Sequence, residues 1–162
     1  MSVDQAVGAD ARRYPERPIL GIAGVVLHDD RVLLIQRGRE PMKGAWSLPG
    51  GALKLSEDIP GGVIREVQEE TGLSVRPIEL VEVFNLVSRD ESGRVRYHYV
   101  VLDWLCTPAW LGAAMEAPAL KAGSDALSAV WANLDALERF HLDPATLRVI
   151  QRSKERSAEL GL

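Results

Sequence analysis

Between Gly50 and Leu73 the chain reads GGALKLSEDIPGGVIREVQEETGL, and the spacing inside this stretch constrains the fold more than any other feature. From Gly51 it runs Gly, five residues, Glu57, seven residues, Arg65-Glu66, Val67, one residue, Glu69-Glu70, one residue, Gly72-Leu73. The pattern predicts a helix over Ile59–Thr71, with Asp58 or Ser56 as N-cap and Gly72 as a left-handed stop. With Glu66 set at 0°, Glu69 falls at about −60° and Glu70 at about +40°. Three carboxylates then share one face. Val63, Ile64 and Val67 fall at about 60–160°, so an apolar stripe lies beside the acids rather than opposite them. Such a helix can pack on a sheet and still hold its acids at the rim of a cleft.

Like charges this close repel. Each pair at about 4 Å costs roughly 1 kcal/mol in water and about 4 kcal/mol at an effective dielectric of 20. A divalent cation removes that cost, and all-oxygen ligands favour Mg²⁺, Mn²⁺ or Ca²⁺ over zinc. A solvated acidic face is the ordinary alternative for such a run. Glu57, Arg65 and the glycines at 50, 51 and 72, all at fixed offsets, argue against it.

These residues at these offsets resemble the Nudix box, with every specified position filled. The resemblance covers roughly residues 18–157. Outside the box, WSLPGG, RYHYVVLDWLC and the segment Trp131-Ala-Asn-Leu look like bacterial MutT-like or ADP-ribose pyrophosphatase-like members. It implies an α/β/α sandwich around a mixed β-sheet, with the box in a loop-helix-loop. It also implies metal-dependent hydrolysis of the diphosphate linkage in a nucleoside diphosphate joined to another moiety. Mg²⁺ or Mn²⁺ would be the cofactor, with Glu66 and Glu70 the principal ligands. Glu69 would be a third, direct or through water, and the Gly50 carbonyl a backbone ligand. Arg65 and Glu57 would pair and brace the loop against the helix, with direct metal contact the second reading of Glu57. Glu69, Glu116 and Asp125 stand as candidates for the general base. Arg37, Arg39 and Lys43 are candidates for phosphate contact, Arg37 first among them. Trp46 and Tyr99 could stack on a base or belong to the core.

The box does not specify the leaving group. An ADP-ribose-like substrate or a (d)NTP such as 8-oxo-dGTP is the expectation; the alternative is a Nudix-fold sensor that binds nucleotide without turnover. Many relatives are homodimers, so a homodimer is a further expectation.

At 162 residues, 46% hydrophobic, the chain suits one domain with a real core. We expect a loose, flexible arm over residues 1–17 and the domain over 18–157. The net charge of −4 argues against a nucleic-acid partner. Local basic residues and metal must therefore receive a polyanion. No apolar stretch reaches the ~20 residues of a membrane span, and the N-terminus lacks a secretory apolar region. The single Cys106 excludes an internal disulfide. Together these predict a cytoplasmic protein without a membrane partner.

Elsewhere, Ile19–His28 and Arg31–Arg37 read as a strand hairpin about Asp29-Asp30. Leu73–Ser88 and Val95–Cys106 read as further strands, with Thr107–Ser124 a long loop and Ala126–Trp131 another strand. Leu134–Arg139 and Pro144–Ser157 read as helices, the second capped by Asp143. One local conflict stays open. Pro60-Gly61-Gly62 lies where helix formers are expected, and either a later helix start or a close backbone approach would explain it.

Overall fold

Strands β1 (Ile19–His28) and β2 (Arg31–Arg37) turn about Asp29-Asp30, with Asp29 in the left-handed region at φ 52°. In the computed structural model, which describes residues 11–113 and 116–162, this hairpin is paired only at its closed end. Leu27 faces Val32 and His28 faces Arg31. Beyond that the two strands diverge and each builds its own sheet. β1 takes β4 (Gly50–Ala52) antiparallel on one side and β6 (Val95–Pro108) parallel on the other. β6 in turn pairs antiparallel with β5 (Val75–Arg89). β2 takes β3 (Trp46–Ser47) and β7 (Ala126–Asn133), both antiparallel. The parallel β1–β6 ladder makes the arrangement mixed, as the resemblance implies.

Alternation along β1 feeds a core on each of its faces. Ile22 and Val26 pack with Val63 and Val67 of helix α1 (Ile59–Thr71). Ala23 and Val25 pack with Val32 and Leu34 of β2 and with Val149 and Ile150 of helix α2 (Pro144–Leu160). Helices thus cover the central strands from both sides.

Helix α1 has the bounds the box predicts. Asp58 is the N-cap, accepting from the Gly61 amide at 2.6 Å, and Gly72 ends the helix at φ 76°. The apolar stripe is narrower than expected, because Ile64 is exposed while Val63 and Val67 are fully buried. The acid Glu70 is buried in its place, at about +40° on the helical wheel. Close approach resolves the glycine conflict. A Cβ on Gly62 would lie 2.5 Å from Ile22 Cδ1 and 2.9 Å from Glu57 Oε2.

The C-terminal carbonyls of α1 are capped by the segment before β7. The Lys121 amide donates to Thr71 and the Gly123 amide to Glu70.

Three other expectations change. Leu134–Phe140 is a 3-10 segment broken at Ala136, not an α-helix; Leu134, Leu137 and Phe140, three residues apart, pack against the core at the period of a 3-10 helix. Helix α2 runs three residues past Ser157 to a Gly161 cap. The arm over 1–17 is anchored where it is described; residues 1–10 lie outside the described residues. Tyr14 donates to Asp90 at 3.0 Å, and Arg94 lies over its ring at 4.3 Å.

Candidate active site

Gly50 and Gly51 form the short edge strand β4, and its register fixes where their polar groups aim. The Leu53 amide donates to the Leu20 carbonyl, and the Gly24 amide to the Pro49 carbonyl. Gly50 opposes Ala23 between those bonded pairs. Its N–H and C=O are therefore directed away from β1. The N–H donates to Glu70 Oε2 at 2.9 Å. Neither glycine tolerates a side chain. A Cβ at Gly50 would stand 2.3 Å from the Ile22 carbonyl oxygen, and one at Gly51 would stand 2.6 Å from the Glu66 carboxylate. Glu66 thus lies directly over the Gly51 backbone, with Glu70 beside Gly50.

Arg65 ties the loop to the helix. Its Nε donates to Glu57 Oε1 at 2.6 Å and its Nη2 to Glu57 Oε2 at 3.0 Å, the bidentate geometry a guanidinium suits. Nη1 reaches Glu66 at 2.6 Å and Glu69 at 3.3 Å, and Nη2 also reaches the Ala52 carbonyl at 3.3 Å. Glu57 further accepts from the Lys54 amide at 3.0 Å. The Arg65 hydrogen bonds hold the Glu57 carboxyl down at about 2.

The other two acids go the opposite way. Burial first, and then the neighbouring Glu66 charge, push Glu70 up to about 8, against the opposing pull of the Gly50 amide. Burial also raises Glu66, although Arg65 opposes it. A buried and a half-buried carboxylate side by side on a helix are costly as anions, which makes the pair a candidate functional site.

Both open into a cavity of about 280 Å³ between the two sheets. Arg37, Arg39 and Asp125 line it, together with Trp46, Tyr99, Gly50 and Gly51. Arg39 pairs with Asp125 at 2.7 Å, and Arg37 Nε donates to the Pro41 carbonyl at 2.8 Å. Arg37 and Asp125 both act electrostatically on Glu70, with opposite signs. Five residues named from the sequence do not line the cavity, Glu57 and Arg65 among them because they pair with each other. Lys43 and Glu116 are exposed elsewhere, and Glu69 is exposed against Arg65.

Two cavity residues escape the sequence reading. Arg12, in the N-terminal arm, lines the cavity and acts electrostatically on Glu66. Asp103, in β6, is 1% exposed and its Oδ2 has no hydrogen-bond partner. Asp103 sits inside VVLDWLC, where one acid in an apolar run was a signal available but unused.

Residues 18–152 match the model of the NUDIX domain family. The chain belongs to the Nudix family. Its members are hydrolases of nucleoside diphosphates linked to another moiety, and this chain has the character of a pyrophosphohydrolase. An ADP-ribose pyrophosphatase of Methanocaldococcus jannaschii is 32% identical over 126 residues, 78% of this chain and 68% of the relative. A MutT NUDIX hydrolase structure from Burkholderia pseudomallei superposes with TM-score 0.68 at 27% identity, over 85% of this chain and 98% of that one. A bifunctional NMN adenylyltransferase/ADP ribose pyrophosphatase of Francisella tularensis, complexed with AMP and a Mn ion, superposes with TM-score 0.61 at 22% identity. That match covers 86% of this chain and 42% of the other, and shows the shared fold.

Nudix hydrolases generally use divalent metals, and the donor chemistry here suits one. Glu66, Glu70 and the outward-directed Gly50 carbonyl offer only oxygen, which fits Mg²⁺ or Mn²⁺. Burial raises both carboxyls because it disfavours their charge, and a bound cation would offset that cost. Among the described residues no three His, Cys, Asp or Glu side chains converge tightly enough to hold an ion as they stand. The reason is visible: Arg65 draws Glu66 one way, and the Gly50 amide holds Glu70.

Proposed function

We propose that the protein is a Mg²⁺- or Mn²⁺-dependent pyrophosphohydrolase of a nucleoside diphosphate linked to a further group, an ADP-ribose-like compound first and a (d)NTP second. One observation carries this reading: the buried Glu70 and half-buried Glu66 carboxylates lie against Gly50-Gly51 at the mouth of a cavity lined in part by aromatic side chains. Similarity to the Methanocaldococcus ADP-ribose pyrophosphatase favours ADP-ribose over other diphosphates.

In this reading Glu66, Glu70 and the Gly50 carbonyl hold the metal. The bound ion would offset charge on the diphosphate oxygens and lower the pKa of water. Arg37 and Arg39 lie on the cavity wall and bind phosphate oxygens, with Arg39 exchanging Asp125 for substrate. Arg65 and Glu57 touch neither phosphate nor metal; they fix the loop carrying Gly50 and Gly51 against α1. Glu69, exposed against Arg65 and outside the cavity wall, is the first candidate to take a proton from attacking water. Asp125, on the cavity wall, is the second candidate for that role.

The test is release of a nucleoside monophosphate, or of phosphate or pyrophosphate, from ADP-ribose, NADH, 8-oxo-dGTP and diadenosine polyphosphates, with each metal and with EDTA. Metal-dependent turnover of ADP-ribose above the others is expected. Turnover in EDTA, or none of any member, overturns the proposal.

A further inference from the structure

Arg12 reaches the cavity from outside both sheets. It belongs to the segment ahead of β1, which has no regular secondary structure, yet it is half-buried and lines the space between the sheets. Tyr14, two residues on, fixes that segment. Its φ of 54° bends the chain, and its amide donates to the Arg96 carbonyl at 2.8 Å, tying the arm to the start of β6. Its hydroxyl bonds Asp90 in the β5–β6 turn, and Arg94 covers its ring. That turn is itself held, because Asp90 Oδ1 accepts from the Ser92 hydroxyl at 2.7 Å and the Arg94 amide at 3.0 Å. The arm therefore has a defined path, and Arg12 a defined place.

Charge in the cavity makes that place matter. Among the described residues six carboxyl side chains line it against three arginines, with no lysine or histidine. An entering polyanion thus depends on each guanidinium. Two of the three are engaged, Arg37 with the Pro41 carbonyl and Arg39 with Asp125. Among the described residues no carboxylate lies within 4.0 Å of the Arg12 guanidinium. The arginines also flank the acid pair. At Glu70 burial is opposed by the Gly50 amide and then by Arg37, which ends β2; at Glu66 it is opposed by Arg65 and then by Arg12, from beside β6. A diphosphate seated over these two acids meets one guanidinium from each wall.

We propose that Arg12 binds a non-bridging oxygen of the substrate's diphosphate, and that Tyr14 is the positioning residue that keeps Arg12 within reach of it. This rests on the hydrolase reading for the presence of a diphosphate at the acid pair. The planar guanidinium fork matches phosphate oxygens and keeps its charge at every working pH. The arm then belongs to the substrate site instead of merely leading into the domain.

The test is calorimetric binding of the α,β-methylene analogue of ADP-ribose, which resists hydrolysis, to the full chain in Mg²⁺. Arg12→Gln should weaken it about tenfold, the loss of one charge-assisted hydrogen bond, and Arg12→Lys should fall between the two. The metal gives a readout of opposite sign. Arg12 is a cation beside Glu66, so Arg12→Gln should bind Mn²⁺ alone as tightly as the unaltered protein, or tighter. Tyr14→Ala should weaken the analogue several-fold in the unaltered background and not at all in Arg12→Gln, because the two act as one unit. Unchanged analogue affinity in Arg12→Gln, equal loss of analogue and of Mn²⁺, or no analogue binding by the unaltered protein would each overturn the inference. Additive losses in the double variant would overturn the role of Tyr14. Turnover separates this claim from the one it rests on. Arg12-dependent binding without hydrolysis would remove the hydrolase reading alone, and hydrolysis with KM unchanged in Arg12→Gln would remove this inference alone.

Discussion

Single residues in this site do opposite electrostatic work a few ångströms apart. Glu57 is stabilised as an anion by Arg65, while Glu70 is destabilised as one by burial. Substitution should therefore separate them. Glu70→Gln removes the charge but keeps an oxygen for the Gly50 amide, so the fold should survive. Turnover should fall about 100-fold or more, since even residues one shell out from a metal cost 10–100-fold. A melting curve with steady-state kinetics checks both halves; a rate within a few-fold of the unaltered enzyme refutes Glu70 as a ligand. Arg65→Lys keeps the charge and loses the fork that grips both Glu57 oxygens. It should cost about 2 kcal/mol of stability in urea unfolding, as hydrogen bonds to a charged group are lost. An unchanged midpoint would mean that the brace carries no energy.

At the scale of elements, α1 was legible at its C-terminal end, and at its start up to the choice of cap, because everything that sets them is local. The Asp58 cap, the Pro at the helix start and the left-handed Gly72 are all written within the stretch they bound. The hairpin about Asp29-Asp30 was legible for the same reason. Its partners were not: nothing near β1 says that it will run parallel to β6, whose sequence lies about seventy residues away. The Leu134–Phe140 segment misled because a short polar-apolar mixture does not distinguish 3-10 from α geometry. Gly62 shows how packing overrides propensity. On intrinsic preference alone, Gly62→Ala should stabilise the helix by about 1 kcal/mol. The added Cβ instead meets Ile22, which is 1% exposed, and a Glu57 oxygen already held by Arg65. Overpacking of this kind costs about 1–3 kcal/mol, so net destabilisation is expected. A raised melting temperature for Gly62→Ala would show that this contact relaxes freely.

At the scale of the whole molecule, the acids of the box could be placed on one helix from the sequence, but the cavity they open into could not. It is assembled from β1, β5 and β6 on one side and β2 and β3 on the other, so Arg12, Asp103 and the exclusion of Lys43 follow only from tertiary packing. That assembly gives the molecule a definite response to pH. Glu70 at about 8 and Asp103 at about 7 both lie above their ordinary values of 4.5 and 3.8, and Glu66 is raised as well. A raised carboxyl binds its proton more tightly folded than unfolded. Its contribution is complete below the unfolded value and is lost as pH climbs through the folded one. Glu57, held at about 2, works in the opposite sense, but its contribution is already complete above 4.5 and does not change further. Metal-free protein should therefore melt at a lower temperature at pH 8 than at pH 5. A divalent cation bound to ionised Glu66 and Glu70 reverses the loss where those groups are charged, adding about 2.7 kcal/mol at a hundredfold excess over Kd. Calorimetry in EDTA and in Mg²⁺ at both pH values checks this. The metal should raise the melting temperature more at pH 8, and the difference should vanish in Glu70→Gln. Equal increments at the two pH values would mean that the cation binds elsewhere, because only a site whose ligands must shed protons couples its affinity to pH in this way.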